Sequence, residues 1–196
     1  MDLWTMELNR PLTEAEEAAL LALLPPERRQ RLVKTKQRSR WREPLCAYGL
    51  LRLALRRSLG WRALPAVARS PGGKPWFPAA PQVCFSLSHT PGAVLVGLSH
   101  RDLGVDIQQF RPVGRRLMER TGAAEETAFF RDWVRREALA KRRDVGVAAL
   151  LGRETPLLPG EAFWPLETFP GYAAGAAGTA EDPPETLRRQ AIEDLL

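Results

Sequence analysis

The chain has 196 residues, 44% of them hydrophobic, and a formal net charge of +6. That length suits one large domain or two small ones, and that hydrophobic share excludes a wholly disordered chain. The opening "MDLWTMELNR" lacks the pattern of a signal peptide, and the longest apolar helical stretch, "AALLALL" (18–24), is too short to cross a bilayer, so the expectation is a soluble cytoplasmic protein with no membrane partner.

The first residues alternate weakly, as a strand does. "LTEAEEAALLALLPPERR" follows, with Thr13 and Glu16 at capping-box spacing, which predicts a helix from about Glu14 to Leu24 stopped by Pro25 and Pro26. Eight of the sixteen residues in "ERRQRLVKTKQRSRWR" (27–42) are Arg or Lys. Such a run suits an anionic partner or a solvated helix face, and composition leaves both open. From Trp41 to Leu59, the residues Leu45, Tyr48, Leu51, Leu55 and Leu59 recur at helical spacing, with Pro44 near the start and Gly60 as a C-terminal stop.

"SPGGKPWFPAAP" (70–81) is a Pro- and Gly-rich loop, and "VCFSLSH" (83–89) an alternating strand with Val83, Phe85 and Leu87 on one face and Cys84, Ser86 and Ser88 on the other. "HTPG" turns the chain into a second strand over 93–99, forming a hairpin, and "LGVDIQ" is a third strand. Thr121 is placed to cap a long helix from about Ala123 to Arg143; "FWPLETF" and "GYAAGAAG" form a final strand pair, and "EDPPETLRRQAIEDLL" a loosely attached helix or tail. Helices and strands mix without strict alternation, so the fold class is α+β. Cys46 and Cys84 show no CxxC spacing and are expected to be reduced, largely buried thiols.

Four places carry chemistry. Asp106 sits between Val105 and Ile107 in an apolar strand, where an ionised carboxylate is costly unless it is paired or holds a metal. Phe129, Trp133, Glu137 and Lys141 follow at i+4, so successive members lie about 40° apart and form one drifting helical stripe that ends in an acid and a base. Lys74 is a lone cation between Gly73 and Pro75, without P-loop spacing. Ser88 and His89 end a strand beside a turn, a place suited to phosphate, while His89 and His100 alone make no zinc cluster.

The ordered set "GGKPWFP", "FSLSHTPG", "GVDIQ" and "WVRREALAK", over roughly residues 70–141, resembles the signature of the 4′-phosphopantetheinyl transferases of the larger monomeric type. The resemblance implies transfer of 4′-phosphopantetheine from coenzyme A to a serine of an acidic acyl or peptidyl carrier protein, with Mg²⁺ and release of adenosine 3′,5′-bisphosphate. It implies a monomer of two similar halves, about 1–100 and 101–180, related by a pseudo-twofold axis with the site between them, and a tail at 181–196. Asp106 and Glu137 resemble the family's metal-binding acids, with Glu137 also the base for the carrier serine. Lys141 resembles the pyrophosphate-binding lysine; Lys74, Ser88 and His89 resemble residues holding the coenzyme's phosphates. Arginines of 28–42, Arg40 among them, are expected at the 3′-phosphate. Gln108 stands where many relatives have a second acid, within reach of the metal through a water, and Arg136 stands where lysine is usual. Two other readings compete: a basic module that binds nucleic acid through 27–42, and a family member that binds coenzyme A or a carrier without turnover.

Overall fold

The computed structural model describes residues 1–35, 37–150 and 154–196; Lys36, part of the basic run, lies outside them. Strand β1 (Asp2–Glu7) opens the chain and leads to α1 (Glu14–Leu23). Both bonds of the predicted capping box are made: the Glu16 N–H donates to Thr13 Oγ1 at 3.2 Å, and the Thr13 N–H donates to the Glu16 carboxylate at 2.7 Å. Pro25 and Pro26 do end this helix, but Pro26 also begins another, α2 (Pro26–Val33), because a proline at the first helical position has no N–H to leave orphaned. Helix α3 (Arg42–Leu59) matches the predicted stripe and closes on Gly60 in the left-handed conformation, φ 70°.

The loop at 70–81 is partly a ribbon, with β2 (Ala68–Arg69) pairing antiparallel to β3 (Pro75–Trp76). The expected hairpin is β4 (Cys84–Thr90) and β5 (Ala93–Ser99), followed by β6 (Gly104–Gln109). The long helix differs from its expectation. Thr121 ends a short helix, α4 (Arg115–Thr121), and its hydroxyl donates to the Leu117 and Met118 carbonyls. Gly122 takes φ 69° and closes that helix, so α5 (Glu126–Arg142) starts afresh with Glu125 as its N-cap. Strands β7 (Glu161–Leu166) and β8 (Tyr172–Thr179) pair as predicted.

The C-terminal stretch is not loosely attached. Strand β9 (Leu187–Gln190) adds to β1 in parallel, and the 3₁₀ turn Ile192–Leu195 buries Ile192 and Leu195 against α3. The strand orders are β4-β5-β1-β9 in one sheet and β6-β8-β7 in another. Leucines of α3 cover one face of the larger sheet; Phe129, Phe130, Val134 and Leu139 of α5 cover one face of the smaller. Between the sheets lie Leu3, Leu95, Leu103, Val105, Ile107 and Ala176. The result is a mixed α+β arrangement with a helix outside each sheet. No described helix is long and apolar enough to cross a membrane.

The sheets meet along a seam of hydroxyls. β6 is an edge strand: the Phe110 N–H that follows it points toward β8 and donates to Gly171, while the N–H groups of Val105, Ile107 and Gln109 face the open edge. Buried there without partners, each would cost free energy comparable to a lost hydrogen bond. Ser86, Ser88 and Thr90 of β4 accept them at 3.0, 3.3 and 3.2 Å. The polar face of the alternating strand is thus an interior face. Its hydroxyls take the place of carbonyls from a missing neighbour strand.

Candidate active site

Asp106, on β6, is 1% exposed, and its partners come from three elements. Ser88 Oγ of β4 donates to Asp106 Oδ1 at 2.6 Å, Lys141 Nζ of α5 donates to the same oxygen at 2.8 Å, and Gln108 Nε2 donates to Oδ2 at 3.2 Å. Lys141 also donates to the Val105 carbonyl at 2.9 Å. An ammonium and two neutral donors together satisfy a carboxylate that the apolar strand would otherwise reject.

The approach of α5 depends on Gly104. Any Cβ there would collide with the carbonyl oxygen of Ala138 and the backbone nitrogen of Arg142. Without a side chain, β6 lies against the helix backbone, and Lys141 and Glu137, one turn apart, come over Asp106. Burial raises the Glu137 carboxyl above its usual value, the Asp106 charge raises it further, and Lys141 opposes both. No hydrogen bond or ion pair joins Glu137 to another described residue. Two carboxylates, one of them unpartnered, are hard-oxygen donors of the kind a divalent cation completed by water and substrate oxygens would take. Among the described residues no group of three or more His, Cys, Asp or Glu could hold a metal ion.

Beside this cluster lies a cavity of about 490 Å³ whose wall includes Arg28, Arg31, Arg69, Lys74, His89 and Lys141. Asp144 is the acidic side chain in that wall. Arg28 is 7% exposed, sits 5.4 Å from the Tyr48 ring centroid, and has no hydrogen-bond partner at its buried Nε. Burial pushes its guanidinium pKa down, as do Arg69 and Arg31. A buried guanidinium without an acid partner, among like charges, is the environment an anion would relieve. His89 reaches the same cavity with its pKa held below the usual 6.5, by the protein crowding it and by the Lys141 ammonium.

Three curated proteins of Bacillus subtilis are similar to the chain. One named 4′-phosphopantetheinyl transferase is 23% identical over 189 residues, covering 88% of this chain and 83% of its own. The 4′-phosphopantetheinyl transferase Sfp of strain 168 is 21% identical over 225 residues, and the 4′-phosphopantetheinyl transferase ffp 23% identical over 225, both covering the full length of each chain. These similarities support the 4′-phosphopantetheinyl transferase family, and no particular subtype within it. No family model matches.

Of the residues singled out in the sequence, Asp106, Glu137, Lys141, Gln108 and Ser88 converge on one cluster, and Lys74, His89 and Lys141 share the adjoining cavity wall. Several differ from expectation in detail. The Ser88 hydroxyl is committed to Asp106 and to the Ile107 N–H, which makes it a support for the acid. Lys74 is paired with Asp102 at 2.7 Å. Arg40 is exposed in the 3₁₀ turn Arg38–Arg40 and is not in the cavity wall, because that turn lies past the end of α2. Arg136 turns away from the cluster: it pairs with Asp132 at 2.6 Å and donates to the Leu150 carbonyl and Thr155 Oγ1, tying the segment after α5 back to the helix.

Arg69 and Asp144 were not singled out in the sequence. Arg28 and Arg31 were hidden inside the basic run; their i, i+3 spacing on a helix begun by Pro26 was the available signal. Arg69 and Asp144 carry no local mark.

Proposed function

We propose that the protein transfers 4′-phosphopantetheine from coenzyme A to a serine of an acyl or peptidyl carrier protein, with Mg²⁺, releasing adenosine 3′,5′-bisphosphate. The observation that carries this reading is the pair Asp106 and Glu137, joined through Lys141 to a cavity walled by cations. An anion with several phosphates suits that wall, and a partly enclosed cavity suits a small molecule better than a nucleic-acid duplex, which needs an extended basic face. Arg28, Arg31, Arg69, Lys74 and His89 would hold the nucleotide phosphates, and Lys141 the diphosphate.

Glu137, with its proton affinity raised, takes the proton of the carrier serine. The serine oxygen bonds to the phosphorus that bears the pantetheine. The bond from that phosphorus to the bridging oxygen breaks, and the nucleotide leaves with the electron pair. Lys141 faces the charge that builds on the diphosphate oxygens. Asp106 and Glu137, with Gln108 through a water, would hold magnesium, which would supply charge neutralisation at the diphosphate.

We further propose a cytoplasmic monomer whose two halves, about 1–100 and 101–180, are pseudo-twofold related. A sheet with one long helix on its outer face in each half supports this, with β9 of the tail completing the first sheet. An acidic carrier matches the +6 charge of the chain.

Intact-mass spectrometry of apo carrier proteins incubated with the full chain, coenzyme A and Mg²⁺ tests the reading. The expected result is a gain of one phosphopantetheinyl group, lost in Glu137→Gln while its thermal midpoint is kept. No mass gain across fatty-acid, polyketide and peptide carriers, or full activity in Glu137→Gln, overturns it.

A further inference from the structure

Asp144 lies two residues beyond the end of α5 and has φ 55°, the one non-glycine residue at positive φ among those described. Glycine occupies such positions at no steric cost; aspartate tolerates them better than most residues do. Here the side chain has a task. Asp144 Oδ1 accepts from Ser70 Oγ at 2.6 Å and from the Lys74 N–H at 3.1 Å, across 74 and 70 residues of sequence. The Lys74 N–H is shared with Ser70 Oγ at 2.9 Å. Gly72 fits against the Asp144 carbonyl, where a Cβ would overlap it. Lys74 Nζ reaches Asp102 at 2.7 Å and the Arg142 carbonyl at 3.4 Å. The segment 70–74 is therefore seated on the end of the helix that carries Glu137 and Lys141.

The carboxylate stands in a cavity wall whose other charged groups are cations, so its charge opposes an anionic ligand. Its value there is the acceptor oxygen. We propose that Asp144 is a positioning residue: it locks the GGKP segment to α5 so that Lys74 and Lys141 face the same phosphate-bearing ligand in one fixed spacing. The proposal rests on the reading that the cavity takes coenzyme A. It assigns nucleotide affinity to a residue whose carboxylate bonds to the loop and not to the ligand.

Calorimetry of the full chain with coenzyme A and, separately, with adenosine 3′,5′-bisphosphate tests it on three proteins. Asp144→Gly removes the acceptor and keeps the backbone conformation; Asp144→Asn keeps an acceptor and removes the charge. Asp144→Gly should weaken both ligands by about tenfold, the scale of a lost hydrogen bond. It should raise KM for coenzyme A and leave KM for the carrier unchanged. Asp144→Asn should restore wild-type affinity or exceed it. Wild-type affinity in Asp144→Gly, or a loss in Asp144→Asn equal to that in Asp144→Gly, overturns the proposal. A fall in thermal midpoint with unchanged affinity also overturns it, since that is a structural role alone. If the wild-type protein binds neither nucleotide, the reading of the cavity fails first and the proposal with it.

Discussion

Ser88 Oγ donates to Asp106 Oδ1 at 2.6 Å while accepting the Ile107 N–H at 3.3 Å. One hydroxyl therefore fixes both the strand β6 and the carboxylate that it carries. Ser88→Ala would leave a buried amide without its partner and the acid with one donor fewer. A loss of about 1–3 kcal/mol in unfolding free energy is expected from the unmet groups. Transfer should slow with it, because Asp106 is free to turn. Urea titration and steady-state kinetics check both. An unchanged rate would mean that Lys141 and Gln108 suffice to hold the acid.

Gly104 permits the contact between β6 and α5, so Gly104→Ala forces the helix away from the strand. Overpacking of this kind costs about 1–3 kcal/mol or more when the obstacle is backbone. The displaced helix takes Glu137 and Lys141 with it, and activity should fall further than stability explains. Denaturant midpoints beside initial rates decide this; a variant as stable and active as the wild type contradicts the close approach.

Glu161 of β7 joins the end of α5 through Arg142 and Arg143, with Arg143 Nη2 donating at 2.6 Å. Burial alone would raise its pKa. The hydrogen bond from Arg143, with that from the Leu158 N–H and the charges of both arginines, holds it below the usual 4.5. A carboxyl depressed by folding adds stability that is present above its unfolded value and is lost as pH falls through its folded value. Stability should therefore decline from about pH 5 downward. Glu161→Gln should be less stable at neutral pH and show a shallower decline in acid. Thermal melts of both proteins from neutral to acid pH measure the difference; parallel curves would remove Glu161 from the acid response.

The final turn packs Leu195 against α3, with its side chain close to Gly49 and Leu20 nearby. Leu195 is 1% exposed. Leu195→Ala should cost about 2–5 kcal/mol, the range for a buried leucine truncation. Chemical denaturation gives the value directly. A change near zero would mean that the C-terminal turn contributes nothing to the core.

Much of the framework was legible in the chain. The Thr13–Glu16 box, the leucine stripe of α3, the Gly60 stop and the Thr90–Ala93 turn are local features, and each formed as its spacing indicates. The break at Gly122 is hidden in the sequence because Thr121 looks like a cap from either side, and only the left-handed glycine decides which helix it serves. The tail reads as loosely attached because a short polar segment such as "LRRQ" has no strand signal of its own; β1 supplies its partner.

The site divides in the same way. Motif order along the sequence drew attention to Asp106, Glu137, Lys141, Lys74, Ser88 and His89, since each lies in a recognisable run. By itself the sequence determined α1, α3, the body of α5, most of the strands and the identity of the chemically able side chains, because periodicity, caps and turns act over a few residues. Only the tertiary structure decided that Arg28, Arg31 and Arg69 face the cavity while Arg40 does not, that the β4 hydroxyls seal the edge of β6, and that Asp144 holds a loop 70 residues earlier. Such pairings depend on where the packed sheets and helices bring distant backbone groups together, and no local pattern in the chain records that distance.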